Sequence, residues 1–212
     1  MRKLLGQGSA LRRNFVGNFM AILQKNFLEF SQQLNAHNVK YLIVGGYAVV
    51  YHGYPRSTVD FDVFVEMTKA NAKRLSKAIT SFGFDPKEYS ADFFLTPSSI
   101  LMIGREPWRI DIFTTIKGLE FKEAYKKRVY FEADGIKIPF VDRGDLIRSK
   151  KASNRDRDRD DIKRLNDVAG FLGKGKRAHS VGEMKAAART GIAKAGAAGL
   201  GGKMRKKGKH LG

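Results

Sequence analysis

YLIVGGYAVVYHGYPRSTVDFDVFVE, residues 41–66, is the stretch on which the reading of this chain turns. Residues 40–45 form a short apolar run that predicts a buried strand, and 46–53 a short helix bounded by glycines. Residues 59–66 alternate: Val59, Phe61, Val63 and Val65 point one way, Asp60, Asp62 and Phe64 the other. Two carboxylates so placed lie about 6–7 Å apart at the backbone and can converge. A third acid, Asp111 in WRIDIFTT, sits in the same strand-like setting. If its strand lies alongside the first, at about 4.8 Å, three carboxylates face one small volume. Bare, they repel, and at least one protonates. A hard divalent ion such as Mg2+, bound through carboxylates and substrate phosphates, relieves this. Gly45-Gly46 leave a phosphate room to approach backbone N–H groups at the start of the short helix. Thirteen residues separate Gly46 from Asp60. That is enough for one short helix and a loop, bringing turn and acids to the same sheet edge. Singly, each feature is ordinary, since acids decorate strand surfaces and glycines make tight turns; the combination points to a site.

Outward from this stretch, Phe19, Leu23, Phe27, Phe30 and Leu34 predict an amphipathic helix over 17–36. Thr68 is placed to cap a helix whose Ala72, Leu75, Ile79 and Phe82 share a face and which stops at Gly83. EYSADFFLT, SILMIG and WRIDIFTT read as strands, and RVYFEADGIKIPFV as a hairpin turning at Asp134-Gly135. Two helices close the body, over 142–152 and 158–172; Ile162, Leu165, Val168 and Leu172 stripe the second. The order predicts an α/β domain with a mixed, twisted sheet and flanking helices over 17–172.

The chain has 212 residues, a formal net charge of +19 and no cysteine, which rules out disulfides and thiolate metal sites. It has no apolar run approaching a membrane span, so no membrane partner is expected, and a reducing, cytoplasmic setting fits. Residues 1–16 read as a basic N-terminal extension without a signal-peptide core. Residues 173–212 carry 11 Lys/Arg, one acid and 10 of the 22 glycines. With no sustained apolar period, they read as a disordered basic tail that would bind a polyanion such as nucleic acid.

VGGYAVVYHGYPRSTVDFDVFV resembles the signature of the DNA polymerase β-like nucleotidyltransferase superfamily: Gly-Gly or Gly-Ser, about a dozen residues, Asp-x-Asp, and a later strand Asp. The form R-x-T-x-D-x-D, here Arg56, Thr58, Asp60 and Asp62, is similar to the minimal branch that includes the AbiEii-type toxin nucleotidyltransferases. DLIRSKKASNRDRDRDDIKRL resembles that branch's later motif, with Asp145, Lys150, Arg155, Asp158 and Asp161 on the pattern. The resemblance implies that Asp60, Asp62 and Asp111 are catalytic and hold Mg2+, with two ions in use. It implies that Gly45, Gly46, Arg56, Thr58 and Lys150 bind a nucleoside triphosphate. The nucleoside monophosphate would pass to a hydroxyl of RNA, tRNA among the candidates, or of a protein. An antitoxin partner would follow from the branch. The alternative is a non-catalytic nucleic-acid-binding module on the same fold, which would have no need of three carboxylates.

Overall fold

The structure, a computed structural model, describes residues 25–173 except 55, 57, 86–89 and 105–108. Helix α1 spans Lys25–Ala36, followed by β1 (Tyr41–Ile43), α2 (Gly45–Tyr51), β2 (Asp60–Val65) and α3 (Lys69–Ser81). A 3-10 turn at Ala91–Leu95 leads to β3 (Ile100–Ile103), β4 (Arg109–Phe113) and α4 (Phe121–Lys126). Strands β5 (Val129–Ala133) and β6 (Ile136–Phe140) precede α5 (Arg143–Ser153) and α6 (Asp156–Gly173). The six strands form one sheet in the order β3-β4-β2-β1-β6-β5. Pairs β2–β4 and β1–β6 are parallel; β1–β2, β3–β4 and β5–β6 are antiparallel. This is the mixed α/β sheet that the sequence predicts.

The alternation in β2 separates two environments. Phe61, Val63 and Val65 are fully buried. Phe27 of α1 stacks on Phe61 at 4.7 Å between ring centroids, and Tyr47 of α2 meets Phe61 edge-on at 5.4 Å. On the other face Phe64 packs against Phe121 of α4, at 5.1 Å. Asp60 and Asp62, nearer the start of the strand, are only half-buried. The same face is thus packed at one end and accessible at the other.

Thr68 caps α3 by accepting from the Asn71 backbone N–H at 3.3 Å, and Gly83 follows the helix with φ +109°. The β5–β6 hairpin turns through Asp134 and Gly135, both with positive φ (48° and 75°), as a two-residue turn matched to strand twist requires. One expected strand is absent: within EYSADFFLT, residues 91–95 are a 3-10 turn. Ser90 accepts from the Phe93 backbone N–H, which closes a turn where a strand would stay extended, and Phe94 drops into the core. Helix α4 was not expected, since six residues carry too little periodicity to announce it; Phe121 and Ala124 anchor it. The helix forecast over 17–36 is described from Lys25. Its first turns, the N-terminal extension and the basic tail beyond 173 lie outside the described residues, as do the Val168 and Leu172 side chains.

Buried Asn71 ties α3 to two strand ends. Its Oδ1 accepts from Lys40 N–H at 2.8 Å, and its Nδ2 donates to the Lys40 and Glu66 carbonyls at 3.0 and 2.9 Å. Asn71→Ala leaves several buried backbone groups unsatisfied. It should lower the urea-unfolding free energy by about 2–4 kcal/mol, whereas a change under about 0.5 kcal/mol would mean that water replaces the amide.

Candidate active site

The parallel register of β2 and β4 sets Asp62 opposite Asp111 and Asp60 opposite Arg109. The three acids therefore occupy one face of two neighbouring strands, as expected. Sequence reasoning did not foresee Arg109. It donates from Nε to Asp111 Oδ1 at 2.8 Å and from Nη2 to Asp111 Oδ2 at 3.0 Å, a two-pronged pairing. The same Nη2 lies 2.9 Å from Asp60 Oδ2. One guanidinium thus bridges two of the three carboxylates, and among the described residues no three acid or imidazole side chains stand close enough together to hold an ion. The signal was present: Arg109 precedes Asp111 by two residues, so a strand puts both side chains on one face.

Asp62 is left outside that bridge. Burial, then the neighbouring Asp111 and Asp60 charges, push its carboxyl from the usual range up to about 7, against a backbone N–H from Gly46 and the nearby Arg56 charge. The paired glycines serve this carboxylate directly. Gly45 adopts φ +60°, a conformation suited to glycine, and a Cβ there would overlap Asp62 Oδ2. A Cβ at Gly46 would overlap Thr58 Oγ1 and stand 2.8 Å from Arg56 Nη2. Asp62, Thr58 and Arg56 all close on a turn that only side-chain-free residues can make.

Arg56 connects this turn to the C-terminal helices. Its Nη1 pairs with Asp161 Oδ2 at 3.2 Å, while its Nε is buried without a hydrogen-bond partner among the described residues. Lys150, with only 8% of its side chain exposed, lies 3.0 Å from Asp158 and 2.6 Å from Asp161. Burial raises Asp158, but hydrogen bonds from Lys150 and Ser153 outweigh it and hold the carboxyl below its usual range. Asp161 thus joins Arg56 to Lys150, and these residues, distant in sequence, form one buried ionic network beside Gly46. Asp145 stands apart. It is buried and pairs with Lys127 at 3.2 Å and Arg148 at 2.7 Å, fastening α5 to the segment after α4. Arg155 is exposed just before α6, outside the network.

The donor set suits a hard cation. The carboxylates of Asp60, Asp62 and Asp111 offer oxygen ligands, although as they stand they do not converge on one point; an Asp62 carboxyl pushed toward neutrality is the one that a cation would return to its charged form. The Arg56 guanidinium, whose Nη2 stands beside Gly46 and whose buried Nε has no partner among the described residues, is of the chemistry that pairs with phosphate oxygens.

A mixed six-stranded sheet bearing this carboxylate and glycine arrangement defines a nucleotidyltransferase fold. A family profile, nucleotidyltransferase of unknown function (DUF6036), matches residues 22–169, and the chain belongs to that family. Among solved structures, the crystal structure of an antigenic nucleotidyltransferase-like protein from Paracoccidioides brasiliensis is similar. It shares 14% identity over 80% of this chain and 86% of that one, with a TM-score of 0.41, a likeness too remote to carry an argument. No curated protein matches the chain. The resemblance drawn from the sequence therefore holds at the level of the nucleotidyltransferase class.

Two outcomes follow from these contacts. Because the folded-state value of Asp62 is raised, its protonated form contributes stability that is fully present below pH 3.8 and lost as pH rises through about 7. Without divalent cation, Asp62→Asn should match the wild type near pH 4 (about the unperturbed carboxylate value). It should exceed it by roughly 2–4 kcal/mol at about pH 8, since each tenfold change in proton affinity is worth ~1.4 kcal/mol. A pH-independent difference in urea unfolding would contradict this. Lys150→Met strands Asp158 and Asp161 without their shared cation and should cost about 3–5 kcal/mol, measured the same way; a neutral effect would show that the network is solvated.

Proposed function

We propose that the protein is a Mg2+-dependent nucleotidyltransferase that moves a nucleoside monophosphate from a nucleoside triphosphate to a hydroxyl of RNA. The observation that carries this reading is the alignment of Asp60, Asp62 and Asp111 on one sheet face beside the Gly45-Gly46 turn, Asp60 and Asp62 partly exposed and Asp111 buried. Asp60, Asp62 and Asp111 would hold Mg2+, which when bound supplies Lewis-acid stabilisation of the entering and departing oxygens. Asp111, across β2 from the glycine turn, would accept the acceptor hydroxyl's proton once released from Arg109. Phosphate oxygens would approach the Gly45-Gly46 turn beside Thr58 and Arg56, whose side chains stand over it, with the Arg56 guanidinium as their donor. Lys150 acts through the network, holding Asp161 so that Arg56 keeps its orientation.

The charge of +19 supports RNA as the acceptor, because a basic surface concentrates a polyanion. The R-x-T-x-D-x-D form and the placement of Lys150, Asp158 and Asp161 support the AbiEii-like branch, and with it a toxin role restrained by an antitoxin.

Incubation with each α-32P-labelled nucleoside triphosphate, Mg2+, total RNA and cell lysate tests the reading. Label should appear in RNA and fall at least about 100-fold in Asp60→Ala and Asp62→Ala, the scale on which loss of a charge-stabilising group acts. Label in protein would replace RNA by a protein acceptor. RNA binding without any transfer would favour the non-catalytic module, and transfer persisting in both variants would reject the site.

A further inference from the structure

We propose that Arg109 is a resident counter-ion that keeps the Asp60–Asp111 pair closed to a free divalent cation, so that a cation enters by displacing its guanidinium. This rests on the reading of the cluster as a cation site and extends it to how that site is controlled.

The geometry of the bridge is the first argument. Both Asp111 oxygens and Asp60 Oδ2 are directed at one guanidinium, at 2.8, 3.0 and 2.9 Å. A Mg2+ ion ligated at about 2.0–2.1 Å by those oxygens would stand at most about 5 Å from guanidinium nitrogens, with like charges facing each other in a half-buried setting. A carboxylate has lone pairs for both partners, but the two cations repel, so occupancy by one weakens the other. The register is the second argument. Arg109 is the cross-strand partner of Asp60 and shares a strand face with Asp111, so its position comes from the sheet and not from a mobile loop. Its place at the first residue of β4 is the third. With 28% of the side chain exposed, the guanidinium has a path outward that leaves the packed core intact. Asp62, which the bridge does not include, remains as a carboxyl of the cluster that Arg109 does not engage. Free ion meets a closed pair; an ion that arrives with phosphate oxygens brings further ligands and negative charge, and both help it displace Arg109.

The test is Mn2+ binding to full-length protein without nucleotide, followed by the electron paramagnetic resonance signal of the free ion. Arg109→Met, which keeps an extended apolar side chain and removes the charge, should bind Mn2+ at least tenfold more tightly than the wild type. Adding Asp111→Asn in that background should abolish the gain. Equal or weaker binding by Arg109→Met with a wild-type circular dichroism spectrum overturns the proposal. Should that variant unfold, the wild type itself provides the readout. The Nε–H resonance of Arg109, identified by its loss in Arg109→Lys, should exchange with water faster as Mg2+ saturates the protein. An unaltered resonance at saturation overturns the proposal. Neither readout involves transfer. A tightened Mn2+ site without label transfer would sink the transferase reading alone, and transfer with Mn2+ binding indifferent to Arg109 would sink this proposal alone.

Discussion

The parallel pairing of β2 with β4 is the constraint on which the rest of the site depends. A slip of one residue would turn Asp111 away from Asp62 and drive Ile110 or Ile112 out of the core. Burial of Phe61, Val63, Ile110 and Ile112 on one face therefore fixes the charged residues on the other. Hydrophobic packing does not place the acids by attracting them. It leaves them only one face to occupy, and the resulting repulsion is met locally by Arg109 and, at Asp62, by a shift toward the neutral acid.

A second layer of charge lies behind this one. The Arg56–Asp161–Lys150–Asp158 network is buried, alternates in sign and joins the helical C-terminal part of the domain to the glycine turn. Buried ion pairs contribute little net stability, yet breaking one is costly, so such networks act mainly to hold geometry. Here the geometry held is that of Arg56, whose Nη2 crowds the space above Gly46 and whose Nε has a donor to spare. The two glycines admit Asp62, Thr58 and Arg56 to close contact with the turn, in space that a Cβ would otherwise fill.

Much of this was legible in the residues themselves. Alternation around Asp60 and Asp62, and the matching setting of Asp111, reported a shared face because strand periodicity of two is a strong constraint. The Gly45-Gly46 spacing reported a turn near that face. Arg109 escaped notice because a charged residue at the head of a strand reads as solvated, and only cross-strand register shows that it faces Asp60. The burial of Lys150 was hidden for a similar reason, since its partners at 158 and 161 lie across a helix–helix junction beginning at Asn154. The misread segment around Phe93 and Phe94 shows the limit from the other side: adjacent aromatics suit a strand, but the Ser90 cap decided for a turn. Helix α4 was too short for periodicity to register.

The central claim is that the acidic face beside the glycine turn receives a metal-bound triphosphate. Crystals grown with Mn2+ and a non-hydrolysable nucleoside triphosphate test it by anomalous scattering. The account predicts a manganese peak ligated by Asp60, Asp62 and Asp111, with phosphate oxygens against Gly45, Gly46 and Arg56 and the Arg109 guanidinium withdrawn. A fully occupied nucleotide bound elsewhere, with the Arg109 bridge intact and no manganese on these carboxylates, would contradict it.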